Sequence, residues 1–190
     1  MKVRNESVRN GSFINETLKP VLVLLIICLV SSFLLAEADV LTKDKIAENA
    51  QKSAYEVYEQ LLPDADGFQT LPCDLEGVTA ALKAENDGGY IVTAQAKGYG
   101  GEVPAAVGFD SEGNILKVVM MSNSETPGLG QKVTLESFSG QFSGRPAENF
   151  TIDDIDSVSG ATISSKASVT AINRAIDAYH LLCGEDSHES

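Results

Sequence analysis

The chain has 190 residues, enough for one packed domain and an appendage, and 43% of them are hydrophobic, enough for a core. Its formal charge is −13. That balance, with no basic stripe and no aromatic-interleaved basic patch, excludes a protein that tracks nucleic-acid phosphates.

The charge is uneven. Residues 1–19 hold Lys2, Arg4, Arg9 and Lys19 against Glu6 and Glu16, so this segment is basic and the remainder strongly acidic. An uncharged apolar run follows from Pro20 to Ala36. As a helix it spans roughly 25 Å at about 1.5 Å per residue, just long enough to cross a bilayer. Basic residues before it and acidic ones after it predict a cytoplasmic N-terminus and an extracytoplasmic C-terminal domain. A cleaved signal peptide is the rival, since Ala36-Glu37-Ala38 resembles a small-x-small cleavage site. The long polar leader and the length of the run favour a retained anchor. Either reading exports residues 39–190.

Beyond the anchor, Thr42 is a candidate N-cap for a helix with apolar residues at Ile46, Ala50, Ala54, Val57 and Leu61, ended by Pro63. A loop follows to Pro72. Val78–Glu85 and Tyr90–Lys97 then read as strands around Asn86-Asp87-Gly88-Gly89, the second half-buried by its alternation. Val103–Phe109 and Ile115–Met121 form another hairpin around Asp110–Asn114. Residues 122–130 read as a loop, Leu135–Phe142 as a short helix, and Thr151–Val158 as a last strand. From Ser164 to Cys183, Ala167, Ala171, Ala175, Tyr179 and Leu182 mark one helix face. Strands bracketed by helices predict an α+β class with a central antiparallel sheet. The expected divisions are an N-terminal segment 1–19, a transmembrane helix 20–36, a helical linker region 37–72, a domain 73–184 and an acidic tail 185–190.

Three features invite chemistry. Asp156-Ser-Val-Ser159-Gly160-Ala161-Thr162-Ile-Ser164-Ser165-Lys166 is a Ser/Thr-rich turn opening a helix. Its plain reading is a cap, with Ser159 or Thr162 accepting backbone N–H groups. The same end of a helix also holds phosphate. Glu125-Thr126-Pro127-Gly128-Leu129-Gly130 reads as a Pro-Gly turn, or as a loop whose glycines let backbone approach a flat ring. Gly98-Tyr99-Gly100-Gly101 reads as a bulge or turn, with Tyr99 a candidate for stacking on such a ring. Cys73 and Cys183 are candidates for a disulfide, and Cys28 is an apolar packing residue. His180 and His188 read as solvated, and neither a metal site nor a catalytic triad is expected.

Asp156, Ser159, Gly160, Ala161 and Thr162 resemble the flavinylation signature of the FMN-binding domain family, and Thr126–Gly130 resembles that family's T-P-G-L-G segment. Members include the G subunit of the Rnf ion-translocating electron-transfer complex and the C subunit of the sodium-translocating NADH:quinone reductase. The resemblance covers roughly residues 15–182, and the short chain favours the Rnf-type member. It implies FMN joined by a phosphoester to Thr162, attached by a flavin transferase using FAD. It implies a cofactor site of Thr162, Ser159, Gly160, Ala161, Ser164, Ser165, Lys166, Glu125, Thr126, Pro127, Gly128, Leu129 and Gly130. It also implies partnership with other membrane subunits, coupling of ferredoxin/NAD electron transfer to sodium or proton movement, and no stand-alone catalysis. The quinone-reductase member, a free-standing anchored flavoprotein, and a non-redox binding module are the alternatives.

Overall fold

The computed structural model describes residues 7–86 and 88–186. The first residues of the leader, Asp87, His188 and the end of the acidic tail lie outside the described residues. The chain divides into two units, one ending at Lys52 and one beginning at Ser53.

The first unit is helical. Helix α1 (Ser7–Leu61) runs unbroken through the leader, the apolar run and the segment expected to form a separate helix. Thr42 does not cap: its hydroxyl bonds back to the Ala38 carbonyl one turn earlier. No Gly or Pro stands between Ala36 and Thr42 to stop the helix, and Thr can back-bond within it. Leu18–Lys43 has a mean hydropathy of 2.7 and is long and apolar enough to cross a membrane. Its large side chains are bare, Leu25 by 56% and Leu35 by 71%.

The second unit is built on five antiparallel strands in sequence order: β1 (Phe68–Thr70), β2 (Val78–Ala84), β3 (Tyr90–Lys97), β4 (Glu102–Phe109) and β5 (Ile115–Met120). The α+β expectation holds. Strand β1, expected as loop, pairs Phe68 with Ala84; three residues are too few to give a period. Strand β3 is buried on both faces along most of its length rather than half-buried. On one side Val92, Ala94 and Ala96 join Val103, Ala105, Val107 and Phe109 of β4 beneath helix α3 (Thr162–Asp186). On the other, Ile91 and Ala106 pack with Leu61 and Leu62, where α1 ends.

Helix α3 lies close to the sheet because its inner face is small: Ala167, Ala171, Ala175 and Ala178 are buried. Tyr179 stacks on Phe109 at 4.4 Å between ring centroids. Arg174 donates to the Gln95 carbonyl at 2.6 Å, tying α3 to β3. His180 is not merely solvated: its Nε2 donates to the Ala147 carbonyl at 2.7 Å.

Between β5 and α3 the chain makes a 3-10 turn at Gly130–Thr134, helix α2 (Glu136–Ser139), and a second 3-10 turn at Gly140–Phe142. The expected strand over Thr151–Val158 is absent. A 3-10 turn (Ile152–Asp154) takes its place, capped as Thr151 N–H and Oγ1 both donate to Asp154 Oδ2, at 2.7 and 2.8 Å. Thr and Asp side chains compete for backbone groups that a ladder needs. Among the described residues no disulfide forms; Cys73 and Cys183 both pack against the main core.

Candidate functional site: a cleft at the start of helix α3

Two β-turns of the same design face each other. In the first, Leu129 N–H donates to the Thr126 carbonyl at 3.1 Å, with Pro127 and Gly128 between. In the second, Ala161 N–H donates to the Val158 carbonyl at 3.0 Å, with Ser159 and Gly160 between. Gly128 (φ 73°) and Gly160 (φ 80°) occupy the left-handed position that a type II turn requires. The turns meet where Leu129 Cδ1 would stand 3.2 Å from a Cβ on Gly160.

The second turn feeds directly into α3. Ser165 N–H donates to the Ala161 carbonyl at 2.9 Å, the first bond of the helix. Buried Ser165 closes the corner from inside: its hydroxyl accepts Val158 N–H at 3.0 Å and donates to the Ala161 carbonyl at 3.1 Å. The N–H groups of Thr162, Ile163 and Ser164 have no partner within the helix, as at any helix start.

Between the turns lies a cleft of about 440 Å³. Leu129, Gly130 and Thr126 line one wall, Gly160, Ala161 and Thr162 another. Tyr99 and Ile163 complete the mouth, 74% and 56% exposed. At the base lies Glu125, 2% exposed. Its Oε1 accepts Gly100 N–H at 2.9 Å, and its Oε2 accepts the Ser164 hydroxyl at 2.5 Å.

The structure thus brings Thr162, Gly160, Ala161, Ser164, Glu125, Thr126, Leu129 and Gly130 to one cleft together with the stacking candidate Tyr99, and adds Ile163. Ser159, Pro127 and Gly128 are exposed at the outer corners of the turns. Ser165 points into its own turn, and Lys166 is exposed beyond the cleft lining. The sequence reading missed Ile163, whose signal was a large apolar residue in a Ser/Thr-rich turn. It also missed Gln141, which holds the backbone of Asp156 and has no local signature.

The residues fit FMN. Bare apolar faces at Tyr99, Leu129 and Ile163 suit a flat ring, and a helix start with open N–H groups suits a phosphate. Thr162, exposed and lining the cleft, stands at that helix start. Among the described residues no cluster of His, Cys, Asp and Glu is arranged to hold a metal ion.

The FMN-binding domain family model matches residues 98–177. The G subunit of the proton-translocating ferredoxin:NAD(+) oxidoreductase complex of Clostridium ljungdahlii is 30% identical over 161 residues, covering 81% of this chain and 86% of that one. The chain belongs to the family of G subunits of ion-translocating oxidoreductase complexes. The G subunit of the ion-translocating oxidoreductase complex of Methanosarcina acetivorans is 30% identical over 85% of this chain and 94% of that one. Its counterpart in the Na(+)-translocating ferredoxin:NAD(+) oxidoreductase complex of Acetobacterium woodii is 28% identical over 85% and 90%. A solved structure, the C subunit of the Na(+)-translocating NADH-quinone reductase of Parabacteroides distasonis, is 22% identical, covers 54% of this chain and 60% of that one, and has a TM-score of 0.45. In this family member the matched domain opens at Gly98, in the bend that Glu125 grips, and takes in both turns and Thr162.

Proposed function

We propose that this chain is the FMN-bearing electron-relay subunit of a membrane complex that couples electron transfer between ferredoxin and NAD to the movement of sodium ions or protons. The observation that carries the reading is Thr162: an exposed threonine, the first residue of α3, lining a cleft with apolar rims. FMN, when bound, supplies the one- and two-electron chemistry, and the chain supplies place and environment.

With FAD as donor to a flavin transferase, Thr162 Oγ1 would lose its proton and bond to the flavin-side phosphorus as the pyrophosphate P–O bond breaks and AMP leaves. The open N–H groups of the first turn, with the helix dipole behind them, would hold that phosphate. Lys166, one turn on from Thr162, offers a compensating charge on the same side of the helix. Leu129, Ile163 and Tyr99, exposed around the cleft, would supply apolar cover for the ring. Gly160, exposed and without a side chain, leaves the corner open to the transferase. A covalent tether suits a domain held outside the cytoplasm, away from the pool of free FMN. The basic leader and acidic remainder support a cytoplasmic N-terminus and an extracytoplasmic domain. The bare helix Leu18–Lys43 is the surface for lipid and for neighbouring membrane subunits.

The test is intact-mass analysis and in-gel fluorescence after co-expression with a flavin transferase. The wild-type chain gains one FMN and Thr162→Ala gains none. A wild-type chain without the adduct, or Thr162→Ala with it, overturns the assignment.

A further inference from the structure

Glu125 is a buried carboxylate with no cation against it among the described residues. Burying a charge is expensive unless hydrogen bonds replace the lost water, and an apolar side chain of similar shape is often the more stable choice. Both its oxygens are used, and they reach in different directions: one to Gly100 between β3 and β4, 25 positions away, the other to Ser164 in α3, 39 positions away. Its own N–H donates to Asn123 Oδ1 at 3.1 Å. The surroundings are cut to admit it. A Cβ on Gly130 would lie 2.7 Å from Glu125 Oε2 and 2.8 Å from Ser164 Oγ, and a Cβ on Gly98 would strike Oε1.

From this we infer that Glu125 is a positioning residue, a latch at the base of the cleft that fixes its width through two bonds to the chain. It stands immediately before the Thr126–Leu129 turn, and Ser164 stands two residues after Thr162. The Glu125–Ser164 bond therefore sets the distance between the two turns, and the Gly100 bond sets the Tyr99 bend against both. The Ser164 hydroxyl has one proton and gives it to Glu125, so Ser164 offers the cleft no side-chain donor. Hydrogen bonds to a phosphate would then come from the backbone N–H groups of Thr162, Ile163 and Ser164, beside the Lys166 charge. The ligand part of this inference rests on the FMN reading; the latch itself does not.

The experiment uses the full chain in detergent, with Glu125→Ala, Glu125→Gln and Ser164→Ala. In a Thr162→Ala background, free of flavin, Glu125→Ala raises amide exchange at Gly100 about tenfold, the equivalent of one hydrogen bond lost. Glu125→Gln keeps exchange near the wild-type rate, because its amide still accepts from Gly100 and donates to Ser164 Oγ. With Thr162 intact and flavin attached, iodide quenching of flavin fluorescence rises in Glu125→Ala and Ser164→Ala, and Glu125→Gln rescues it. Wild-type exchange and quenching in Glu125→Ala overturn the latch, as does Glu125→Gln behaving like Glu125→Ala. If Glu125→Ala unfolds, Ser164→Ala, which removes one of the two bonds, gives the quenching readout by itself. Absence of the adduct from wild type would remove the flavin reading and leave the exchange result standing.

Discussion

The side chain of Gln141 holds Asp156 as a neighbouring strand would. Asp156 N–H donates to Gln141 Oε1 at 2.6 Å, and Gln141 Nε2 donates to the Asp156 carbonyl at 3.2 Å. The segment that leads to Thr162 is thus tied at its first residue by one side chain instead of a strand, with Asp156 left exposed.

Gln141→Ala removes these two bonds and the one from Gln141 Nε2 to the Ser137 carbonyl, all three exposed, and is expected to cost about 1–2 kcal/mol. It is also expected to slow flavin attachment with Thr162 intact. Chemical denaturation and a time course of in-gel fluorescence check the two effects. Attachment at the wild-type rate would show that the modifying enzyme does not depend on this clamp.

Gly128 and Gly160 separate backbone strain from closure of the cleft. Alanine at either site incurs about 1–2 kcal/mol for a left-handed residue. At Gly128 its Cβ meets nothing within 4 Å, whereas at Gly160 it presses on Leu129 at 3.2 Å. Both variants should melt lower, and Gly160→Ala alone should impair flavin attachment. Equal attachment in the two would sink the claim that Leu129 and Gly160 form the closing contact.

Ser165 and Lys166 should part company. Ser165→Ala leaves Val158 N–H without its acceptor and is expected to destabilise by about 1–2 kcal/mol while still accepting FMN. Lys166→Gln should change stability by less than about 0.5 kcal/mol, as exposed substitutions do. It should weaken protection of the attached phosphate, read as a change in its 31P chemical shift. A lost adduct in Ser165→Ala with unchanged stability would return Ser165 to the ligand set.

Asp110 gives a pH dependence. Burial opposes its ionisation, but hydrogen bonds from Asn114 backbone and side chain, Glu112 and Gly113 outweigh this and hold its carboxyl below 3.8. A depressed folded value contributes stability above the unfolded pKa and loses it as pH falls through the folded one. The difference in melting temperature between wild type and Asp110→Asn should therefore be full at pH 6 and shrink below about pH 4. A difference independent of pH between 6 and 2.5 would contradict this.

For topology, a reporter fused after Ser190 is expected to be active outside the cytoplasm, with a mature N-terminus before Lys19. A mature start at Asp39 would replace the anchor with secretion.

Much of this was legible locally. Strands β2 to β5 and their turns follow from alternation and Gly/Asn/Asp punctuation, and the inner face of α3 follows from small residues at helical spacing. The continuity of α1 was not, because Thr42 looks like a cap when only its neighbours are read. Nor was the turn at Ile152–Asp154, where Thr151 and Asp154 satisfy each other.

The sequence by itself determined the membrane run, the sheet, the two Pro-Gly and Ser-Gly turns, and Thr162 as a hydroxyl at a helix start. These depend on residues within a turn or two of one another. Tertiary structure alone decided what Glu125 does, and hence which residues near Thr162 face the cleft. Its bonds to Gly100 and Ser164 join segments brought together only when α3 packs on β3 and β4, so no local pattern could carry them.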